Sequence, residues 1–237
     1  LENYDKARDY YNIILYMDHT NGELFYNLGF IANKNEEYEL AKYYLSYAIE
    51  CGYLHKDLYN QLSITYINLE DHIHLIPILY EALYIDPNNQ NLIYDLGVAY
   101  YKIGFYKKSI EILERYFSTR PQDATATYYL GISYYNIEDY KNAHYYLSLI
   151  NNNSDYEILF YLGLCNYNLG EYNKSIRLYK KSLIINPKNK YAIYALGQSY
   201  INLGNKKDAK RQLKTLMNLD KEIFDLLKIS FDMKFES

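Results

Sequence analysis

The chain has 237 residues, of which 49% are hydrophobic and 23% charged, with a net charge of −4. That is enough apolar material for a packed core and too little charge for a disordered chain, and the acidic balance argues against a general polyanion binder. Two cysteines exclude a disulfide framework, Cys and His show no metal-ligand spacing, and no apolar run reaches the length of a membrane span.

Residues 1–21 open on "LENYDKARDYY", which is already helical text without a signal peptide or an initiator Met. They read as a fragment of something longer or as a mature form. From residue 22 the chain repeats itself. "NLGFIANKNE" from Asn27 is followed by "QLSITYINLE" from Gln61, "DLGVAYYKIG" from Asp95, "YLGISYYNIE" from Tyr129, "YLGLCNYNLG" from Tyr161 and "ALGQSYINLG" from Ala195. The small residue after Leu falls at Gly29, Ser63, Gly97, Gly131, Gly163 and Gly197, so the steps are 34, 34, 34, 32 and 34 residues. A fixed period of this length marks a stack of supersecondary units.

The repeats are assigned to 22–55, 56–89, 90–123, 124–155, 156–189 and 190–219. The third is the clearest. Leu96, Gly97 and Tyr100 share one face of a first helix, and Gly104 ends it. Tyr106, Ser109, Leu113 and Tyr116 then space a second amphipathic helix, and Pro121 closes the unit. Gly97 with Ser109, Gly131 with Ala143, and Gly197 with Ala209 keep the paired helices close. Tyr100 and Tyr106 are expected in the core.

Two repeats depart from this pattern. In 56–89, Ser63 and Glu70 stand where Gly is usual, Leu75 takes a small-residue position and Pro77 falls inside the second helix. A kink is expected there unless the helix starts late. His72 and His74, near His55, sit at i and i+2 and so point apart, which argues against a metal site. The repeat at 124–155 is two residues short and ends "LINNNSDY" rather than in a Pro turn, so a seam is expected near 150–155. The triplets starting at Asn152 and Asn173 occur readily in an Asn-rich chain and are set aside. Residues 220–237 continue at helical spacing and read as a terminal cap.

The period, the Leu-Gly-x-x-Tyr block, the later Gly-x-Tyr, the small residue in the second helix and the terminal Pro resemble the tetratricopeptide repeat family. The resemblance covers essentially the whole chain. It implies an all-α, right-handed superhelical solenoid forming one domain over 1–237, with six full repeats and a C-terminal capping helix. Residues 1–21 are then the second helix of a preceding half repeat, with Tyr4, Ala7 and Tyr11 at its consensus positions. The motif is specific for fold and nearly silent on activity.

In this family the first helices line an inner groove where ligands bind. The face at i, i+4, i+7 and i+8 gives four rows. The first is Tyr26, Asn60, Tyr94, Tyr128, Phe160 and Tyr194; the second is Phe30, Ile64, Val98, Ile132, Leu164 and Gln198. The third is Asn33, Ile67, Tyr101, Tyr135, Tyr167 and Ile201; the fourth is Lys34, Asn68, Lys102, Asn136, Asn168 and Asn202. Tyr offers large contact area at low entropic cost, and amides can pair with an extended backbone. The residues singled out as a peptide groove are Tyr26, Phe30, Tyr94, Tyr101, Lys102, Tyr128, Tyr135, Asn136, Phe160, Tyr167, Asn168, Tyr194 and Asn202. The opposing reading makes them ordinary repeat-consensus residues. Some members clamp a C-terminal carboxylate with Lys and Asn on this face, which the aromatic and aliphatic first rows here argue against.

The expected function is a non-catalytic scaffold that binds a peptide or helix with apolar or aromatic anchors. The alternatives are a homo-oligomerisation module, or the non-catalytic repeat part of a larger enzyme. No phosphate loop, Ser elbow, Cys/His pair or inward carboxylate cluster points to catalysis. Cys165 reads as a buried apolar residue, and Cys51 lies about three repeats away, too far for a disulfide. No cofactor and no nucleic-acid partner is expected, because the groove carries few cations. Cytoplasm is favoured over an exported or periplasmic location.

Overall fold

The computed structural model describes residues 4–17, 20–150 and 155–236. The seam expected near 150–155 falls largely outside them. The described residues form helices joined by short turns, with no strand among them. In chain order these are α1 (Tyr4–Met17), α2 (Gly22–Lys34), α3 (Tyr38–Glu50), α4 (Lys56–Asn68), α5 (His72–Ile85), α6 (Gln90–Lys102) and α7 (Tyr106–Thr119). They continue as α8 (Ala124–Asn136), α9 (Tyr140–Leu149), α10 (Tyr156–Asn168), α11 (Tyr172–Ile185), α12 (Lys190–Asn202), α13 (Lys206–Met217) and α14 (Lys221–Phe235). This is a helical solenoid of two-helix repeats, built as two compact units, Leu1–Tyr116 and Phe117–Ser237.

Local sequence sets the helix ends. Asn21, Asn89, Asp123, Asp155 and Asn189 precede α2, α6, α8, α10 and α12, and each side-chain oxygen accepts from backbone N–H groups of the first turn. This satisfies donors that have no partner within the helix. The first helices end in a left-handed residue. It is glycine at Gly104, Gly170 and Gly204, with φ of 81°, 77° and 71°, but Glu36, Glu70 and Glu138 adopt the same turn at 61°, 55° and 65°. The replacement of glycine by Glu70 therefore leaves the helix stop in place, at the conformational cost an L residue incurs there.

Within a repeat, the small residue of the first helix receives a large one from the second. A Cβ on Gly29, Gly97 or Gly131 would lie 2.5–2.7 Å from Leu45, Leu113 or Leu147 respectively. Ala41, Ser109, Ala143, Ser175 and Ala209 are all buried at the small positions of the second helices. In the first unit, Leu75 takes that position in α5 and is also buried. Pro77 lies in the sixth position of α5, beyond the first turn, and the helix runs through it as one element. Its ring is exposed.

α1 packs against α2, and Arg8 Nη1 donates to both carboxylate oxygens of Glu37 at 3.2 Å. Of the consensus positions expected in this half repeat, Ala7 and Tyr11 are half-buried, while the Tyr4 side chain lies outside the described ones. In the second unit, α14 packs against α12 and α13. Leu227 and Phe231 are buried, and a Cβ on Gly197 would lie 2.5 Å from Leu227 Cδ2. α14 thus covers the face that a further repeat would otherwise cover.

Candidate peptide-binding surface

The first helices carry the expected residues, and their side chains fall into three groups. Tyr26, Phe30, Tyr94, Tyr101, Tyr128, Tyr135, Phe160, Tyr167 and Tyr194 are half-buried, each with part of its ring open to solvent. Lys102, Asn136, Asn168 and Asn202 are exposed. Asn33, Ile132 and Ile201, expected on the same face, are buried instead. Asn33 is held between α2 and α4: its Nδ2 donates to Gln61 O and Oε1 at 3.0 Å, and its Oδ1 accepts from Thr65 Oγ1 at 2.9 Å. The interior of the first two repeats consumes that amide, so it is unavailable to a ligand.

The third row forms a set of aromatic rungs. Tyr101 meets Tyr106 at 5.9 Å and 60°, Tyr135 meets Tyr140 at 5.6 Å and 62°, and Tyr167 meets Tyr172 at 5.5 Å and 64°. Each rung joins the end of a first helix to the start of its second, edge to face, the geometry that aromatic quadrupoles favour. Tyr106 is accordingly half-buried rather than a core residue, while Tyr100 is buried as expected. The irregular repeat has Ile67 and His72 in these places, and no rung.

In the second unit the rings join into a wider network. Tyr161 lies 6.4 Å from Tyr128, 5.6 Å from Tyr135 and 5.7 Å from Phe160. Sequence reasoning missed Tyr161 because it sits two residues before the repeat glycine, outside the four rows. The aromatic at the equivalent Tyr129 was the available signal, and Tyr129 lies 5.8 Å from Tyr128. The Tyr128 hydroxyl donates to Glu157 Oε1 at 2.8 Å. Asn202 Nδ2 donates to the Tyr167 hydroxyl at 2.9 Å, and Gln198 Nε2 donates to the Tyr194 hydroxyl at 2.9 Å and to Ser230 Oγ at 2.8 Å. Burial raises the pKa of Tyr135 and Tyr167, so both remain neutral phenols.

The amide row is partly engaged as well. Asn68, Asn136, Asn168 and Asn202 each donate Nδ2 to the carbonyl four residues earlier on their own helix, at 2.8, 2.8, 2.9 and 3.2 Å. This ties each amide nitrogen to its own helix. In the first unit, Lys34 Nζ sits 5.3 Å over the Phe30 ring, and Tyr26 stacks on Tyr53 at 5.2 Å. Ile64 and Ile67 are exposed beside them, at 44% and 38%, which leaves an aliphatic stretch on α4.

Nothing in this set supplies a nucleophile. Cys165 is fully buried and desolvation pushes its thiol up to about 12, the signature of an inert structural cysteine. Cys51 is likewise a free thiol. Among the described residues no three His, Cys, Asp or Glu side chains gather as a metal site. His74 Nδ1 pairs with Asp71 at 2.8 Å, while the His72 Nδ1 is buried without a partner.

The comparisons with known proteins agree with the architecture. Residues 103–182 match the family described as anaphase-promoting complex, cyclosome, subunit 3; residues 166–223 and 57–89 match families described as tetratricopeptide repeat. No curated protein matches the chain. Among solved structures, MamA of MSR-1 is 24% identical with a TM-score of 0.65, over 70% of this chain and 97% of its own. MamA 41-end from Desulfovibrio magneticus RS-1 is 21% identical with a TM-score of 0.66, over 70% and 96%. A further MamA structure is 24% identical with a TM-score of 0.64, over 77% and 96%. At these identities the likeness carries the fold and no partner.

Proposed function

Since the chain is a tetratricopeptide-repeat protein, we propose that it works as a non-catalytic scaffold, holding a segment of another protein against the first helices of its repeats. The observation that carries this reading is the aromatic rungs: half-exposed tyrosines locked edge to face at near-constant spacing and angle. A ring already fixed by its neighbour loses little further freedom when a ligand covers it, so its contact area converts efficiently into affinity. The exposed amides beside the rungs, whose nitrogens are already engaged, would accept N–H groups of an extended backbone through their oxygens. The segment would carry apolar or aromatic anchors. Lys34 and Lys102 are too sparse to track a nucleic-acid backbone. The reading requires no cofactor.

The test is a peptide array probed with the whole chain, followed by anisotropy on the strongest peptides. Tyr135→Ala with Tyr167→Ala removes two rungs of the second unit and is expected to weaken binding at least tenfold, about 1.4 kcal/mol. Unchanged affinity in a folded double variant would eliminate this face as the site.

Self-association is the second reading, and α5 favours it. Ile73, Pro77, Tyr80 and Tyr84 line one exposed face of that helix, with Tyr84 86% accessible. A stripe of this kind suits a helix-to-helix contact. Light scattering of Tyr84→Glu beside the parent chain tests it. A monomer at high micromolar concentration in both would exclude this reading.

A further inference from the structure

The two units differ in charge. The first, residues 1–116, has nine Lys and Arg against 17 Asp and Glu, a balance of −8; the second, residues 117–237, has 16 against 12, a balance of +4. Much of the positive excess lies on α13, whose 12 residues "KKDAKRQLKTLM" include five Lys and Arg and one Asp. Lys207, Lys210, Arg211 and Lys214 recur at steps of 3, 1 and 3, so they share one side of the helix. None of the four forms an ion pair among the described residues.

These four line a cleft of about 740 Å³ between α13 and α14. Its other walls are apolar: Leu213, Met217, Phe224 and Phe231. Met217 is 59% exposed, so the floor is open rather than closed over. The opposite rim behaves differently. Lys228 on α14 is paired with Asp232 and with Glu236, so that edge sets one cation against two carboxylates. A solvated lysine face normally lies over polar surface and needs no explanation. Here four unneutralised cations edge an apolar trough on one side only.

We propose that this cleft is a second docking site, which takes an acidic amphipathic helix from a partner protein. Apolar side chains of the helix would fill the trough over Met217 and Phe224. Its carboxylates, spaced one turn apart, would meet the cation row, since both helices repeat at about 5.4 Å. Arg211 offers a two-pronged guanidinium for one of them. The one-sided charge would also fix which flank of the helix faces α13. A flat anionic membrane fits less well, because the carboxylates of Asp232 and Glu236 on the far rim would face the lipid phosphates. The site is separate from the aromatic rungs and does not depend on them.

The experiment uses the whole chain and two fluorescent helical peptides of Leu, Phe and Glu, identical except that Gln replaces every Glu in the second. The Glu peptide is expected to bind, with affinity falling steeply as salt rises, and the Gln peptide to bind at least about tenfold more weakly. Lys210→Gln with Lys214→Gln should cost the Glu peptide about tenfold, with thermal unfolding unchanged because both side chains are exposed. Met217→Asp should weaken it further, while Tyr135→Ala with Tyr167→Ala should leave it unaltered. Equal binding of the two peptides, or full affinity in the lysine variant, overturns the proposal. Retention on phosphatidylglycerol vesicles that the Glu peptide fails to displace would assign the cleft to lipid. Self-association lost only in the lysine variant would assign it to a second copy. Both outcomes also overturn the proposal.

Discussion

The repeats at 56–89 and 156–189 occupy the same frame, with equivalent residues 100 apart, and fill it in opposite ways. In the later repeat, Gly163 receives the ring of Tyr179, and Ser175 is the small neighbour on α11. In the earlier repeat, Ser63 replaces the glycine, the narrower Leu79 replaces the tyrosine, and Leu75 replaces the small neighbour. All of these residues are buried. The frame therefore accepts different residues at each of these positions so long as the space between the two helices is filled, as close packing requires. Polarity is traded as well. Ser175 Oγ donates to Tyr172 O at 2.9 Å and lies 3.0 Å from Ser199 Oγ, tying α11 to α12. Leu75 makes no such tie, and its helix relies on apolar contact.

The largest expected effect breaks the earlier repeat. Leu75→Ala restores the small residue that the period calls for, yet should cost about 2–5 kcal/mol, because Leu79 cannot widen to fill the space. A fall in the urea midpoint with an unchanged slope would show it. A cost below about 0.5 kcal/mol would mean that Leu75 is not part of a shared volume.

Gly163→Ala breaks the later repeat from the other side. The added Cβ would lie 2.5 Å from Tyr179 Cε1 and 2.7 Å from Cδ1. A fully buried ring has little room to retreat, so about 1–3 kcal/mol should be lost. Ser63→Ala is the matched control. Its hydroxyl only bonds back to Tyr59 O at 2.8 Å on its own helix, a bond that adds little to a helix, so a change within about 0.5 kcal/mol is expected.

Tyr179→Phe should act in the opposite direction. The Tyr179 hydroxyl is buried and has no hydrogen-bond partner, so it carries a desolvation penalty that Leu79 avoids. Removing the oxygen should raise stability by about 1 kcal/mol, read as a higher urea midpoint. A loss instead would mean that the hydroxyl has found a partner, such as an internal water.

The same pair of repeats shows how much the sequence makes legible. The period, the helix count, the helix after residue 220 and the burial of Leu96, Tyr100 and Cys165 follow from residue spacing, because spacing sets which side of a helix faces its neighbour. The trade among Ser63, Leu75 and Leu79 does not. Ser63 and Leu75 look like defects when judged position by position, and only their burial beside a leucine at 79 shows that the helix pair accommodates them. The inner face divides in the same way. Its aromatic residues were legible on α6, α8 and α10, but the burial of Asn33 depends on Gln61 and Thr65 from the next repeat. The α13–α14 cleft was missed for a similar reason: Lys207 to Lys214 look like an ordinary solvated face until α14 lays its apolar wall beside them.

The smallest effect tests the turn between the two helices, where the repeats are alike in backbone and unlike in residue. Glu70 N donates to Ile67 O at 3.1 Å and Asp71 N to Tyr66 O at 3.0 Å; Gly170 N donates to Tyr167 O at 3.0 Å and Glu171 N to Asn166 O at 2.8 Å. Both ends are thus closed by the same pair of reaching-back bonds, and both place one residue at positive φ, 55° for Glu70 and 77° for Gly170. A glutamate there crowds its Cβ against the following carbonyl, while a glycine does not. Glu70→Gly should therefore stabilise, but only by about 0.5 kcal/mol, since glycine also loosens the unfolded chain and so offsets part of the relief. Gly170→Ala adds the strain and should cost about 1 kcal/mol. Urea midpoints of the two variants moving in opposite directions would show that the turn, not the residue, is what the repeat retains. Movement in the same direction would mean that Glu70 makes a compensating contact through its carboxylate, and Glu70→Ala, which loses that contact and keeps the positive φ, would then lose more than Glu70→Gly does.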